Sequence, residues 1–246
     1  MPKRTHPRTW NPNFPHVSSI AAGDDSAIYV SSLGRGVYRI GPSGEWSELG
    51  ENWPVGVSVN RLQMCGGTLY ACTSQGLLAY KEPRWIATEL AVAVYRIREA
   101  MGGRLLAATQ YGVWCRTEDG WLSWAYSDAP AYDLLYLPQY IIVAREKGIA
   151  FYDRLTGSWA DLPLPVAVTS VAVFRGILIG TSDRGELIVG NRQGGFAKFR
   201  FEGVFLLSLI MKGRDVYACT DRGLFRIGAV GGRLALLPVR LGFPVA

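Results

Sequence analysis

"VYACTDRGLFRIG", residues 216–228, is a β-branched and aromatic run, a polar tip closed by glycine, and a second apolar run. Two short apolar runs joined by a polar, glycine-bearing tip predict a β-hairpin. Whether Cys219, Asp221 and Arg222 also mark a local site depends on the rest of the chain, because the same pattern is written five more times. "IYVSSLGRGVYRIG" begins at Ile28, "LYACTSQGLLAY" at Leu69, "LLAATQYGVWCR" at Leu105, "IIVAREKGIAFYD" at Ile141 and "ILIGTSDRGELIVG" at Ile177. The tip glycines Gly36, Gly76, Gly112, Gly148, Gly185 and Gly223 follow one another at intervals of 40, 36, 36, 37 and 38 residues. Spacing this regular belongs to a repeat architecture.

Each repeat carries more than its hairpin. Ahead of it stands an apolar run closed by a turn, such as "VNRLQMCGG" or "VFLLSLIMKG". Behind it a turn announces a fourth run, usually with an aromatic residue, as in "EPRWIATEL", "LTGSWADLP" and "QGGFAKFRF". Four short strands per repeat predict an all-β, six-bladed β-propeller with four-stranded antiparallel blades. The blades fall at about 17–55, 56–94, 95–130, 131–167, 168–203 and 204–241, forming one propeller over 17–246. Residues 1–16 read as a basic arm, with "RTWNPNFP" a candidate ring-closing strand. Trp46, Trp85, Trp124 and Trp159 are expected to pack between blades near their outer strands, since each ring offers a large apolar area.

Composition narrows the function classes. The 246 residues are 49% hydrophobic with a formal charge of +6, so the chain is neither disordered nor collagen-like. The basic N-terminus lacks the apolar core of a signal peptide and no run is long enough for a membrane span, so the expectation is a soluble, cytoplasmic protein. Cys65, Cys72, Cys115 and Cys219 form no CxxC pair, and the two histidines, His6 and His16, both lie in the arm. No metal site, cofactor or catalytic residue is therefore assigned. Cys72 and Cys219 share a repeat position and read as buried free thiols.

"AATQYGVWCRTEDGWLSW" at 107–124 and "CTDRGLFRIG" at 219–228 resemble the repeats of β-propeller proteins in the broad group of sialidase-like BNR repeats, photosynthesis assembly propellers and sensory propellers of two-component regulators. The resemblance implies architecture and no activity. "TEDGWLSW" departs from the Asp-box spacing, because Gly120 follows Asp119 directly, so no sialidase catalytic residue is carried over.

Superposing the hairpins suggests where function lies. The residue before each tip glycine is Arg35, Gln75, Tyr111, Lys147, Arg184 or Arg222. In a propeller these tips share a face with the loops that cross between blades, so a mostly cationic ring at the channel mouth is expected. Arg61, Arg98 and Asp133 interrupt the apolar first strands and form a second candidate set. The function expected is non-catalytic recognition of a small anionic ligand or an acidic protein partner. The alternative is a metal-independent hydrolase or lyase acting on an anionic sugar or small molecule, with acids drawn from Glu99, Asp133, Glu146, Asp183, Glu186 and Asp221. Nucleic acid is a weaker third partner, because it calls for a basic groove interleaved with exposed aromatics.

Overall fold

The computed structural model describes residues 17–23, 27–32, 36–191 and 194–239. The expected N-terminal arm and the tip residue Arg35 lie outside them. The fold is an all-β, six-bladed β-propeller of four-stranded antiparallel blades, each with its strands in sequential order. Blade 1 comprises β1 (Val17–Ala22), β2 (Ile28–Ser32), β3 (Gly36–Ile40) and β4 (Trp46–Glu48). Blade 2 has β5 (Val59–Cys65), β6 (Thr68–Thr73), β7 (Leu77–Lys81) and β8 (Arg84–Ala87). In blade 3 are β9 (Val94–Glu99), β10 (Leu105–Thr109), β11 (Gly112–Thr117) and β12 (Gly120–Ala125). Blade 4 holds β13 (Ala131–Tyr136), β14 (Tyr140–Arg145), β15 (Gly148–Asp153) and β16 (Ser158–Pro163). Blade 5 is β17 (Val168–Phe174), β18 (Ile177–Ser182), β19 (Leu187–Gly190) and β20 (Phe196–Phe199). Blade 6 ends the series with β21 (Leu206–Lys212), β22 (Asp215–Thr220), β23 (Gly223–Val230) and β24 (Arg233–Pro238).

The chain divides into two compact units, Met1–Asp128 with blades 1 to 3 and Ala129–Ala246 with blades 4 to 6. In the first unit, Val59, Leu62 and Leu69 of blade 2 pack with Ala21 and Val37 of blade 1. The opposite face of blade 2, through Cys72 and Leu77, packs with Ile97 and Leu105 of blade 3. In the second unit, Val168, Val171 and Ile188 of blade 5 meet Leu135 and Ile142 of blade 4, while Ile179 and Leu187 meet Leu209 and Ile227 of blade 6. Period-two alternation supplies both apolar faces of a blade, and each fully buried Leu or Ile contributes roughly 1.5–3 kcal/mol by leaving water.

The first strand of each blade is a sheet edge, so alternate backbone N–H groups have no ladder partner. All six first strands carry a register shift that skips one residue: Ser18, Asn60, Tyr95, Tyr132, Thr169 and Leu207. The residue after the shift is polar in every blade, being Ser19, Arg61, Arg96, Asp133, Ser170 and Ser208. Within the units these side chains reach the edge of the following blade. Ser19 Oγ accepts the Leu62 N–H at 2.9 Å, Asp133 Oδ2 accepts that of Val171 at 3.1 Å, and Ser170 Oγ accepts that of Leu209 at 3.1 Å. Arg61, at the same register position, carries only donors and has no acceptor to offer the next blade.

Tip glycines let the connection to the next blade lie across the hairpin. Gly148 has φ +116°, and a Cβ there would run into the Leu162 carbonyl and come within 2.6 Å of the Leu164 nitrogen. At Gly185, φ +71°, a Cβ would lie 2.5 Å from the Phe205 ring. The tryptophan expectation holds only in part. Trp85 is buried against Trp53 and Tyr80, with its Nε1–H donating to Leu49 O at 2.7 Å, and Trp159 is half-buried against Tyr152. Trp46 is 38% exposed, on the three-residue strand β4. In blade 3 the buried indole is Trp121, because Trp124 occupies a register shift in β12.

Candidate functional site

Hydroxyl groups at the end of the second strand shape the tips. In blades 2, 3 and 6, Thr73, Thr109 and Thr220 donate to the carbonyls of Gly76, Gly112 and Gly223 at 2.7, 3.0 and 2.8 Å. The same oxygens accept the N–H groups of Gln75, Tyr111 and Arg222 at 3.2, 3.0 and 3.0 Å. Ser182 does likewise for Arg184 at 3.2 Å. Such local side-chain bonds fix a tight turn and leave the residue before the glycine outside the ladder. Gln75, Tyr111, Lys147, Arg184 and Arg222 are all exposed.

A second bond ties each tip to the chain leading into its own first strand. The N–H groups of Ser74, Gln110, Glu146, Asp183 and Asp221 donate to the carbonyls of Ser58, Ala93, Pro130, Ala167 and Phe205. Blades 2 and 6 add a side-chain bond. Ser74 Oγ accepts the Ser58 N–H at 3.3 Å, and Asp221 Oδ1 accepts the Phe205 N–H at 2.7 Å. Blade 4 has no such option, because Pro130 lacks an N–H, and the Glu146 and Asp183 carboxylates make no hydrogen bond among the described residues. Blade 4 also replaces the turn hydroxyl with Arg145, whose Nη1 pairs with Asp161 Oδ1 at 2.5 Å.

A groove of about 540 Å³ opens between the tips of blades 4 and 5. Its lining is Glu146 and Lys147 from the β14–β15 tip, Leu164, Pro165, Val166 and Ala167 from the connection to β17, Asp183 from the β18–β19 tip, and Tyr132 and Thr169 from the first strands. Tyr132 and Thr169 are the skipped residues of their strands, so the two register shifts turn both side chains into the groove. Thr169 Oγ1 is held by Thr181 Oγ1 at 2.9 Å. Leu164 N–H donates to Lys147 O at 3.2 Å, which joins the groove's apolar wall to its cationic tip. Lys147, Arg184 and Arg222 form no ion pair among the described residues. The groove itself carries two carboxylates and one ammonium, a balance opposite to the positive chain as a whole.

The candidate residues therefore separate. Lys147 is in the groove wall, Arg184 and Arg222 are exposed on the next two tips of the same unit, and Gln75 and Tyr111 are exposed on tips of the first unit. Asp133 is 1% exposed, and its carboxylate is taken up by the Leu134 N–H at 2.8 Å, the Ser170 Oγ–H at 2.7 Å and the Val171 N–H. Arg61 and Asp133 share a register position, whereas Arg98 lies two residues beyond the equivalent Arg96. Sequence reading missed Tyr132, Thr169 and the wall 164–167. Their signal was the one-residue offset between each first strand and its hairpin. Cys72 is fully buried, and burial pushes its thiol up to about 12, which makes it a poor nucleophile. Cys219, at the equivalent position, is half-buried. Among the described residues no group of three or more His, Cys, Asp or Glu could hold a metal ion, and no helix is long and apolar enough to cross a membrane.

No family model matches the chain, and no curated protein matches it in sequence. The narrower BNR resemblance thus gains no family match. Solved structures share the fold. The extracellular domain of the one component system BT4673 from B. thetaiotaomicron has a TM-score of 0.73 at 17% identity, over 92% of this chain and 33% of that one. Virginiamycin B lyase from Staphylococcus aureus gives 0.72 at 13% identity, over 94% of this chain and 86% of that one. PorZ, a bacterial surface component of the type-IX secretion system of Porphyromonas gingivalis, gives 0.66 at 14%, over 92% and 33%. This chain spans about a third of the length of the one component sensor domain. The likeness shows the fold. The expected cytoplasmic location does not stand, since the sensor domain is extracellular and PorZ is a surface component. That expectation rested on a missing apolar run, and an absence does not locate a protein.

Proposed function

We propose that the chain recognises a small polar molecule in the groove between the tips of blades 4 and 5, with Lys147 as the contact to an anionic group. The supporting observation is a concave site of about 540 Å³ that combines an apolar wall with three charged side chains. Small-molecule sites have this size and this mixture. Arg184 and Arg222, on the neighbouring tips of the same unit, extend the positive potential that would draw an anionic group toward Lys147. The cation-tip reading of the sequence is thereby narrowed from six positions to one groove and two flanking arginines.

A second reading is favoured by the comparisons: a lyase or hydrolase acting on the molecule held there. The likeness to virginiamycin B lyase covers most of both chains and supports the catalytic alternative better than a bare scaffold. A histidine-to-alanine variant of that lyase is catalytically inactive. Here His6 and His16 fall outside the described residues, so Glu146 and Asp183 are the groove's candidates for moving a proton. Recognition at the groove is common to both readings. It is tested by thermal-shift screening of the full chain against a panel of small carboxylates, phosphates, amino acids and short peptides. At least one compound should raise the Tm of the wild type and not that of Lys147→Ala, while the two proteins melt alike without ligand. A panel without a hit, or hits that Lys147→Ala retains, would refute the groove.

A further inference from the structure

The charges in the groove say more about its ligand than the net charge of the chain does. In blade 6 the acid two residues before the tip glycine, Asp221, is consumed as an acceptor for Phe205 N–H. In blade 2 the hydroxyl of Ser74 at that position serves Ser58 N–H. Glu146 and Asp183 occupy the same position in blades 4 and 5, keep only the backbone bond, and both line the groove. The two carboxylates released from this structural duty thus come from different blades and line one concave surface. Lys147 is beside them, and the Leu164–Val166 wall and Tyr132 supply an apolar flank.

A purely anionic ligand in this groove would satisfy one ammonium while facing two carboxylates, an arrangement in which like charge opposes binding. A purely cationic one would leave Lys147 as the repelling group. We propose that the groove binds a small zwitterion with an apolar body, its ammonium taken by Glu146 and Asp183 and its carboxylate by Lys147; a free apolar dipeptide is the simplest molecule of this class. The inference rests on the groove being the recognition site and specifies what that site selects.

The test is calorimetric titration of the full chain with leucyl-leucine, N-acetyl-leucyl-leucine and leucyl-leucine amide, which keep one apolar body and remove one charge at a time. Leucyl-leucine should bind at least ten-fold more tightly than either capped form, a difference of about 1.4 kcal/mol. In the Glu146→Gln/Asp183→Asn double variant its advantage over the acetylated peptide should vanish, and in Lys147→Gln its advantage over the amide should vanish. All three side chains are exposed, so Tm should not move in these variants. Equal or tighter binding of a capped form overturns the zwitterion while Lys147-dependent binding keeps the groove. Failure of all three peptides also overturns the zwitterion, and the groove falls with it only if the wider small-molecule panel gives no Lys147-dependent ligand.

Discussion

Replacing Gly148 with alanine should be far more damaging than the same change at Gly223, although both close a hairpin tip with similar backbone angles, φ +116° and +109°. The positive φ costs an L-residue roughly 1–2 kcal/mol at either site. At Gly223 nothing lies within 4 Å of the new methyl group, so little else changes. At Gly148 the methyl meets the Leu162 carbonyl, the Pro163 carbonyl carbon at 3.1 Å and the Leu164 nitrogen at 2.6 Å, all backbone atoms that must move as a segment. Forcing that segment outward adds an overpacking cost and stretches the Leu164 N–H bond to Lys147 O, bringing the expected loss to roughly 3–6 kcal/mol. For a chain of this length each kcal/mol moves Tm by about 2–4 °C, so Gly148→Ala should melt about 6–24 °C lower and Gly223→Ala about 2–8 °C lower. Differential scanning calorimetry and urea midpoints measure both. Equal losses at the two glycines would refute the view that the connection lies across the blade 4 tip. Because that connection is the wall of the groove, Gly148→Ala should also weaken any groove ligand, whereas Gly223→Ala should not.

Other expectations follow from the blade-to-blade bonds. Asp133→Ala leaves Val171 N–H and Ser170 Oγ without their acceptor and should cost about 2–6 kcal/mol, about 1–3 for each buried donor stranded, with strong coupling to Ser170→Ala in a double-mutant cycle; additive losses would refute the clamp. Asp221→Ala should cost about 1 kcal/mol through the lost Phe205 N–H bond, while Arg222→Ala should change stability by less than about 0.5 kcal/mol in urea titrations; the reverse order would refute the separation of roles. Cys72 also sets a pH dependence. Its thiol is raised from 9.0 to about 12 by burial, so the folded state keeps its proton longer than the unfolded chain does. That contribution is complete below about pH 9 and is lost as pH rises from there toward 12. Urea midpoints should therefore fall more steeply above pH 9 in the wild type than in Cys72→Ala, and parallel profiles would refute the burial of that thiol.

The blade plan was legible because it is local physics repeated. β-branched runs, a hydroxyl or cation at the strand end, and a glycine at the tip each constrain a few neighbouring residues, and six copies at nearly constant spacing leave few architectures that bury both faces of every unit. Even the tryptophan error was local. Trp121 and Trp124 are both plausible outer-strand anchors in "TEDGWLSW", and only the register shift in β12 chooses between them.

The site was decided elsewhere. "VYACTDRGLFRIG" presents Asp221 and Arg222 side by side, yet folding consumes the carboxylate in a backbone bond and leaves the guanidinium outside. "AREKGIA" and "TSDRGE" look like the same tip, yet folding places Glu146, Lys147 and Asp183 around one groove. In blade 4 Pro130 has no N–H to offer Glu146, and the skipped residues Tyr132 and Thr169 line the same surface. The sequence by itself determined the strands, the tips and the number of blades, because those depend on short-range alternation and turn chemistry. Only the tertiary structure decided which charges are consumed and which face a cavity, because hydrogen-bond partners drawn from distant strands are fixed when blades pack, not when hairpins form.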